Sequence, residues 1–112
     1  MFNYFFNRNI DFNLDSKTFS EKLKDDSNAV ILDVRTLREF QKGHIPYAVN
    51  IDIHDENFQK QIESLDRTKS YFVYCRSGSR SYSAAKFMKD IGFNSVYNLE
   101  EGILNWDEEL EK

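Results

Sequence analysis

The hydrophobic positions of the chain follow two spacings, one typical of strands and one typical of helices. Residues 29–34 and 71–74 are nearly unbroken runs of β-branched, aliphatic and aromatic side chains, as in strands buried on both faces of a parallel sheet. Phe58, Ile62 and Leu65 recur instead at intervals of four and three residues, which predicts an amphipathic helix. Strands therefore alternate with helices, which predicts an α/β domain with a mostly parallel central sheet of about five strands and helices on both faces.

Capping and turn residues mark where the other elements begin and end. Asp15 or Ser16 can cap a helix over 16–25, and Thr18 and Glu21 have the spacing of a capping box. Gly92 stands where a glycine commonly follows the last turn of a helix. We expect the remaining strands over 10–14, 48–51 and 95–98, the remaining helices over 36–42, 55–65 and from Ser79 to Ile91, and a C-terminal helix carrying Ile103, Trp106 and Leu110.

Length and composition predict a single domain. The chain has 112 residues, and its ten Phe, six Tyr and one Trp can fill a core without a structural metal. We expect this domain over 10–112, preceded by a short extension over 1–9. One Cys and two His exclude an intrachain disulfide and the Cys₄ and Cys₂His₂ classes of zinc site, and we expect no metal.

Charge and hydropathy limit which partners and which cellular compartment we expect for this protein. The formal net charge is −4, whereas nucleic-acid-binding domains usually carry a basic excess. No run approaches the roughly 18 apolar residues that a transmembrane helix needs. A lone Cys stays reduced in the cytoplasm. We therefore expect a cytoplasmic protein that binds neither nucleic acid nor a membrane.

The candidate chemistry lies in one loop, directly after the second apolar run. Cys75 is the last residue of that predicted strand, at the edge where open parallel sheets bind ligands. Gly78 lets the backbone curl, so that N–H groups of the loop and of the next helix converge on one point. The groups that we expect to surround an anion there belong to Arg76, Ser77, Gly78, Ser79, Arg80 and Ser81.

Two interpretations of Cys75 compete. A lone Cys at the end of an apolar strand is commonly a buried, inert residue. That interpretation does not account for two arginines, one glycine and three serines in the next six residues. Positive charge and N–H donors stabilise a thiolate, and lowering a thiol pKa from about 8.5 to about 6.5 raises the thiolate fraction at pH 7 from about 3% to roughly 75%. We therefore predict that Cys75 is a nucleophile.

Three charged residues at or just after the neighbouring buried strand are weaker candidates for the pocket. Asp33 and Arg35 can orient the loop arginines or the substrate, but an internal ion pair between them is the favoured interpretation. Arg38 either reaches an anion at the pocket mouth or is simply exposed, and the sequence leaves both interpretations open. His44 suggests a general base, since Cys–His pairs are common. An ionised thiol needs no base, so we expect His44 to hydrogen-bond the backbone and hold a turn.

An ordered set of motifs resembles the rhodanese family in its single-domain form. The resemblance covers roughly residues 10–110. It is carried by Leu32-Asp33-Val34-Arg35 with Glu39-Phe40, by Gly43-His44-Ile45-Pro46 with Ala48 and Asn50-Ile51, by the loop from Cys75 to Ser81, by Ala84-Ala85 and Gly92-Phe93, and by Leu99 with Glu101-Gly102 and Trp106. It implies a rhodanese-like three-layer domain. Tyr47 departs from the pattern, because the family commonly has Gly after the Pro, and we expect it to change a turn or a rim contact.

The resemblance implies sulfur transfer through Cys75, without a metal or an organic cofactor. The Cys75 thiolate takes the outer sulfur of thiosulfate or of a persulfide donor, becomes a persulfide, and passes the sulfur to a thiol or to cyanide. The implied partners are a small sulfur-containing anion and a thiol-bearing protein acceptor. Tandem rhodaneses place a second domain against the catalytic one, so here the pocket wall must come from loops of this chain or from a partner.

Two other functions fit the same fold. A sulfur carrier or protein-interaction module, loaded by a dedicated partner, needs the same loop residues and stays an alternative. Phosphatases related to this fold use a Cys-x₅-Arg loop, whereas Cys75 and Arg80 are separated by four residues. The shorter loop forms a smaller ring of N–H donors, which fits a sulfur atom and excludes a tetrahedral phosphate.

Overall fold

The structure, a computed structural model, describes residues 12–112, so the extension over 1–9 and the start of the strand expected over 10–14 lie outside the described residues. The strands are β1 (Asn13–Leu14), β2 (Ala29–Asp33), β3 (Val49–Asn50), β4 (Ser70–Tyr74) and β5 (Val96–Leu99). The α-helices are α1 (Ser16–Lys24), α2 (Leu37–Lys42), α3 (Phe58–Glu63) and α4 (Ser79–Asp90), and Ile103–Asn105 forms a short 3₁₀ helix. Strands and helices alternate as the hydrophobic pattern predicts.

The five strands form one parallel sheet in the order β1-β5-β4-β2-β3. This confirms the predicted α/β class. The register pairs Asp33 with both Tyr74 of β4 and Asn50 of β3. Because the carboxyl ends of parallel strands lie at one edge of the sheet, the last residues of β2, β3 and β4 lie side by side there. Cys75 follows Tyr74 at that edge.

Helices cover both faces of the sheet, and each face has its own core. On one face, Val73 packs with Ile62 of α3 and with Ala84 and Met88 of α4. On the other face, Phe19 of α1 packs on Phe72 and Tyr74, joined by Leu99, Ile45 and the partly buried Trp106. Alternate residues of β4 face opposite sides, and both sides are covered, which explains its unbroken apolar run. None of the helices formed by residues 12–112 is long and apolar enough to cross a lipid bilayer.

The predicted C-terminal helix is wrong. Only Ile103–Asn105 is helical, and from Trp106 onward the chain is extended, with Glu111 paired to His44 by two backbone hydrogen bonds of 2.8 Å each. Asp107, Glu108, Glu109 and Glu111 would repel one another in a helix. Contacts with the rest of the molecule hold the segment instead, since Trp106 meets the Phe19 ring edge-on and Glu108 binds Ser20 and Lys24.

Two smaller predictions also need correction. The helix expected over 55–65 covers only Phe58–Glu63, because Asp52 and Asp55 accept hydrogen bonds from the N–H groups two residues later and hold the preceding segment in turns. The Thr18–Glu21 capping box is absent, because the carboxylate of Asp15 caps that helix. A complete capping box lies at the start of α2 instead, between Thr36 and Glu39.

Candidate active site

The Cys75 sulfur lies inside a ring of hydrogen-bond donors. Cys75 is fully buried, and its Sγ accepts hydrogen bonds from the Gly78 N–H at 3.2 Å, the Ser81 N–H at 3.4 Å and the Ser81 hydroxyl at 3.3 Å. The loop curls back so that these groups, three and six residues further along the chain, face the sulfur. The arrangement is built to hold negative charge on that atom.

Two glycines make room for this loop. Gly78 has φ +100°, and a Cβ there would stand 1.9 Å from the carbonyl oxygen of Glu100. Gly102 has φ +69°, and a Cβ there would stand 2.2 Å from the carbonyl oxygen of Arg76. Both positions therefore exclude a side chain, by close approach as well as by backbone conformation. The segment after β5 contacts the backbone of the loop, and the Ile103 N–H donates to the Cys75 carbonyl oxygen at 3.0 Å.

The Cys75 thiol is held below its ordinary pKa by hydrogen bonds. Burial acts in the opposite sense, since it disfavours the charged thiolate and raises the pKa. The Ser81 hydroxyl and the N–H groups of Ser81, Gly78 and Ser77 together outweigh burial, and the net effect lowers the pKa of Cys75. The stabilisation comes from the serines and the backbone rather than from an arginine in contact with the sulfur.

Arg80 does not present a free charge to the site. Its guanidinium forms a two-pronged ion pair with Glu39, with Nη1–Oε1 of 2.9 Å and Nη2–Oε2 of 3.0 Å. The Arg80 hydrogen bonds hold the pKa of Glu39 at about 2. Arg80, which we expected among the groups around the anion, therefore has its charge balanced by Glu39. Glu39 also accepts from the Thr36 N–H, so the helix cap and the loop share one carboxylate.

Arg76 lies at the surface of the loop. Its side chain is exposed and forms no hydrogen bond or ion pair within residues 12–112, while its carbonyl oxygen accepts the Leu104 N–H at 3.1 Å. The Ser77 and Ser79 side chains are exposed at the outer face of the loop. Of the six predicted loop residues, Gly78 and Ser81 donate to the Cys75 sulfur and the Ser77 backbone N–H helps to lower its pKa, whereas the side chains of the other three lie away from it.

Asp33 and Arg35 form the internal ion pair that the sequence favours. Arg35 Nη2 lies 2.8 Å from Asp33 Oδ2, both side chains are buried, and the same nitrogen donates to the Gly43 carbonyl oxygen at 2.7 Å. Arg35 thereby ties the end of β2 to the turn after α2. Arg38 is exposed on α2 and makes no polar contact with residues 12–112, so the structure does not bring it into the cluster.

His44 and Tyr47 belong to the turn that follows α2. His44 stacks on Phe40 at 3.8 Å between ring centroids, with one ring nitrogen 2.9 Å from the Phe40 carbonyl oxygen. Tyr47 is 92% exposed and has φ +72°, a conformation that favours glycine. The turn that we expected Tyr47 to change thus contains a tyrosine in a conformation that glycine adopts without strain. The ring borders a groove with Val49 and Trp106, on a different part of the surface from the Cys75 loop.

Sequence reasoning missed two residues that hold the loop. Glu39 is one, although its spacing from Thr36 marks a capping box. The other is Asn98, a buried amide in β5 whose Nδ2 donates to the Gly78 carbonyl oxygen at 3.2 Å and to Asn13 Oδ1 at 2.8 Å. A polar residue within a short apolar strand was the available signal. Within residues 12–112, no cluster of three or more His, Cys, Asp or Glu side chains could hold a metal ion.

A cavity of about 380 Å³ opens beside the Cys75 loop. Arg76 contributes one wall, and Ile103 and Leu104 contribute another. The opposite side is formed by α2 and the turn that follows it, together with Leu110 of the extended C-terminal segment. Loops of this chain therefore line this cavity.

A buried cysteine with a lowered pKa, held by backbone donors at the carboxyl edge of a parallel sheet, defines a class of α/β domains that handle anions or transferable sulfur. Comparison with known proteins identifies the family. The profile of the rhodanese-like domain family matches residues 16–109, and the chain belongs to that family.

Named relatives agree with this assignment. The chain is 32% identical over 93 residues to a sulfurtransferase of Allochromatium vinosum, covering 83% of this chain and 85% of that protein. It is 36% identical over 90 residues to a putative sulfur carrier protein, YrkF, of Bacillus subtilis, covering 80% of this chain and 48% of that protein. The crystal structure of a rhodanese-related protein from Thermoplasma volcanium superposes with a TM-score of 0.78 at 28% identity, covering 89% of this chain and 97% of that one.

Proposed function

We propose that this rhodanese-family protein is a sulfurtransferase that moves a sulfane sulfur from thiosulfate or a persulfide donor to a thiol or cyanide acceptor through a Cys75 persulfide. The observation that carries the proposal is the set of three donors on the Cys75 sulfur, at 3.2, 3.3 and 3.4 Å. They favour the thiolate before reaction and again when it leaves. The reaction needs a free thiol, which suits a reducing compartment such as the cytoplasm.

In the first step the Cys75 thiolate attacks the outer sulfur of thiosulfate. A new S–S bond forms to Cys75, the S–S bond of thiosulfate breaks, and sulfite leaves with the electron pair. In the second step an acceptor thiolate attacks the terminal sulfur of the persulfide. The acceptor becomes a persulfide, and Cys75 leaves as the thiolate. The hydrogen-bond donors of Ser81 and Gly78 stabilise that thiolate. Neither step requires an external oxidant or reductant.

Intact-mass measurement after mixing with thiosulfate tests this proposal directly. We expect the protein to gain the mass of one sulfur atom and to release sulfite, and cyanide should then remove the sulfur as thiocyanate. Cys75→Ser should gain nothing and should lose sulfur transfer entirely, because the chain has no other Cys. Retention of more than a few per cent of the activity by Cys75→Ser would contradict the assignment of the nucleophile.

The alternative is a sulfur carrier of the same fold, and the similarity to the putative sulfur carrier protein of Bacillus subtilis supports it. A carrier holds the same Cys75 persulfide but receives it from a dedicated protein. The same experiment separates the two functions. An enzyme turns over thiosulfate and cyanide repeatedly, whereas a carrier acquires sulfur only when the loading protein is present.

A further inference from the structure

The cavity beside the Cys75 loop is larger and less polar than thiosulfate requires. Its volume of about 380 Å³ lies within the range of small-molecule sites, roughly 300–1,000 Å³. Ile103, Leu104 and Leu110 face it, and the last two are 62% and 43% exposed. Thiosulfate is a compact anion with no apolar surface to place against leucines. Part of this cavity therefore suits a second, larger substrate.

The charges that line the cavity leave a positive excess. Of the four charged residues there, Arg35 is neutralised by Asp33 and Glu39 by Arg80. The other two are Lys42 and Arg76, and neither has an ion-pair partner within residues 12–112. Both side chains are exposed at the mouth. The cavity thus combines two available cations with an apolar wall.

Because Cys75 is buried, the reacting sulfur of an acceptor and the rest of the acceptor molecule lie in different places. Because Cys75 is fully buried within its donor ring, only a sulfur atom enters the loop, and the rest of an acceptor molecule stays outside it. The cavity begins one residue from Cys75, at Arg76, and Ile103 and Leu104 are tied to the loop by backbone hydrogen bonds to the Cys75 and Arg76 carbonyl oxygens. A second cavity borders the loop, but its lining holds a single charged residue, Glu100, and no cation. The cavity at Arg76, with its two cations and its apolar wall, is therefore the one that suits an anionic remainder.

We propose that this cavity is the acceptor site, and that it selects an organic thiol carrying a carboxylate on an apolar chain. The carboxylate pairs with Lys42 and Arg76, and the chain lies against Leu104 and Leu110. This inference rests on the proposed sulfur transfer, since it names the class of acceptor for the second step. In that step the acceptor thiolate attacks the terminal sulfur, the Cys75 S–S bond breaks, and the product is the carboxylate-bearing persulfide.

The test follows single-turnover sulfur removal from protein first loaded with thiosulfate and freed of excess donor. The acceptors are 6-mercaptohexanoate and 6-mercaptohexanol, whose thiols are alike because the differing groups lie far from the sulfur. We expect the carboxylate to react at least about threefold faster, the range that one or two exposed ion pairs supply. Lys42→Gln should reduce this ratio toward one, and Lys60→Gln, an exposed lysine on α3 outside the cavity, should leave it unchanged.

The apolar wall is tested separately. Leu104→Ser should slow 6-mercaptohexanoate more than the short 3-mercaptopropionate, and the side chain is 62% exposed, so the fold should survive. Equal rates for the carboxylate and the alcohol, or a preference that Lys42→Gln leaves intact, would overturn the proposal.

A binding measurement separates this inference from the proposed function. Heptanoate, which cannot react, should shift the methyl resonances of Leu104 and Leu110 in the Cys75→Ser protein, and heptan-1-ol should do so more weakly. If the shifts occur but thiosulfate never loads Cys75, the site stands and the sulfur-transfer proposal fails. If Cys75 loads and heptanoate causes no shift, the acceptor site is wrong while the sulfur transfer stands.

Discussion

At the scale of single residues, the Ser81 hydroxyl is the side-chain donor that lowers the pKa of Cys75. It lies 3.3 Å from Sγ and 3.2 Å from the Gly78 carbonyl oxygen, so it has a second acceptor within reach. We expect Ser81→Ala to raise the pKa of the thiol by about one unit, because a hydrogen bond to a charged group contributes about 1.5–3 kcal/mol. Thiolate absorbance against pH measures this directly, since Cys75 is the single cysteine of the chain.

The control for Ser81→Ala is Ser83→Ala, an exposed serine on the same helix. Wild-type protein and Ser83→Ala should both titrate below the ordinary value of about 8.5. Persulfide formation should rise with pH up to the thiol pKa and then level off. An unchanged midpoint in Ser81→Ala would mean that the hydroxyl donates only to Gly78.

The Glu39–Arg80 ion pair makes the fold sensitive to acid. The folded pKa of Glu39, about 2, lies below the ordinary 4.5, so folding favours the ionised carboxylate. The stabilisation is present above about pH 4.5 and is lost as the pH falls toward 2. We expect Glu39→Gln to lower the free energy of unfolding by about 1–3 kcal/mol at pH 7 and by much less at pH 2.5, measured by urea denaturation. Glu63→Gln, at an exposed carboxylate without an ion pair in the described chain, should show no such pH-dependent difference.

At the scale of elements, the loop depends on the turn after β5. We expect Gly102→Ala to slow persulfide formation at least about tenfold, because its Cβ would collide with the Arg76 carbonyl and displace the donors around Cys75. Gly92→Ala is the matched control. Its φ of +106° carries similar backbone strain of about 1–2 kcal/mol, but the nearest atom to its Cβ, Arg67 Nε, is 3.9 Å away. Both variants should lose stability, and equal rates of persulfide formation would contradict the proposed support of the loop.

The elements that the sequence predicted well have local causes. The runs over 29–34 and 71–74 are strands because only a strand covered on both faces buries every side chain of such a run. Gly92 ends α4 as expected, with φ +106°. The failures came where local spacing competed with other contacts. Helical spacing of Ile103, Trp106 and Leu110 outlined a helix, but the carboxylates between them and the docking of Trp106 on Phe19 favoured an extended segment.

At the scale of the whole molecule, the C-terminal segment from Trp106 onward contributes to two places. Trp106 joins the core on the Phe19 face of the sheet, and Leu110 lines the acceptor cavity. We expect Trp106→Ala to destabilise the protein by about 2–3 kcal/mol, less than for a fully buried tryptophan because the side chain is partly exposed. Trp106→Phe should cost less, since the buried Nε1 has no hydrogen-bond partner within residues 12–112. Urea unfolding measures both, and equal stability of Trp106→Ala and wild type would show that the segment is not anchored there.

The sequence by itself determined the α/β class, the place of Cys75 at the end of a buried strand, and the curl of the loop that follows. Each depends on residues adjacent in the chain: an apolar run, a cysteine, and a glycine among serines. Only the tertiary structure decided that Glu39 neutralises Arg80, that Gly102 and Asn98 support the loop, and that Leu110 lines a cavity beside Lys42 and Arg76. These contacts join residues about 20 to 70 positions apart, and their existence depends on the strand order β5-β4-β2 and on chain folding that no local pattern records.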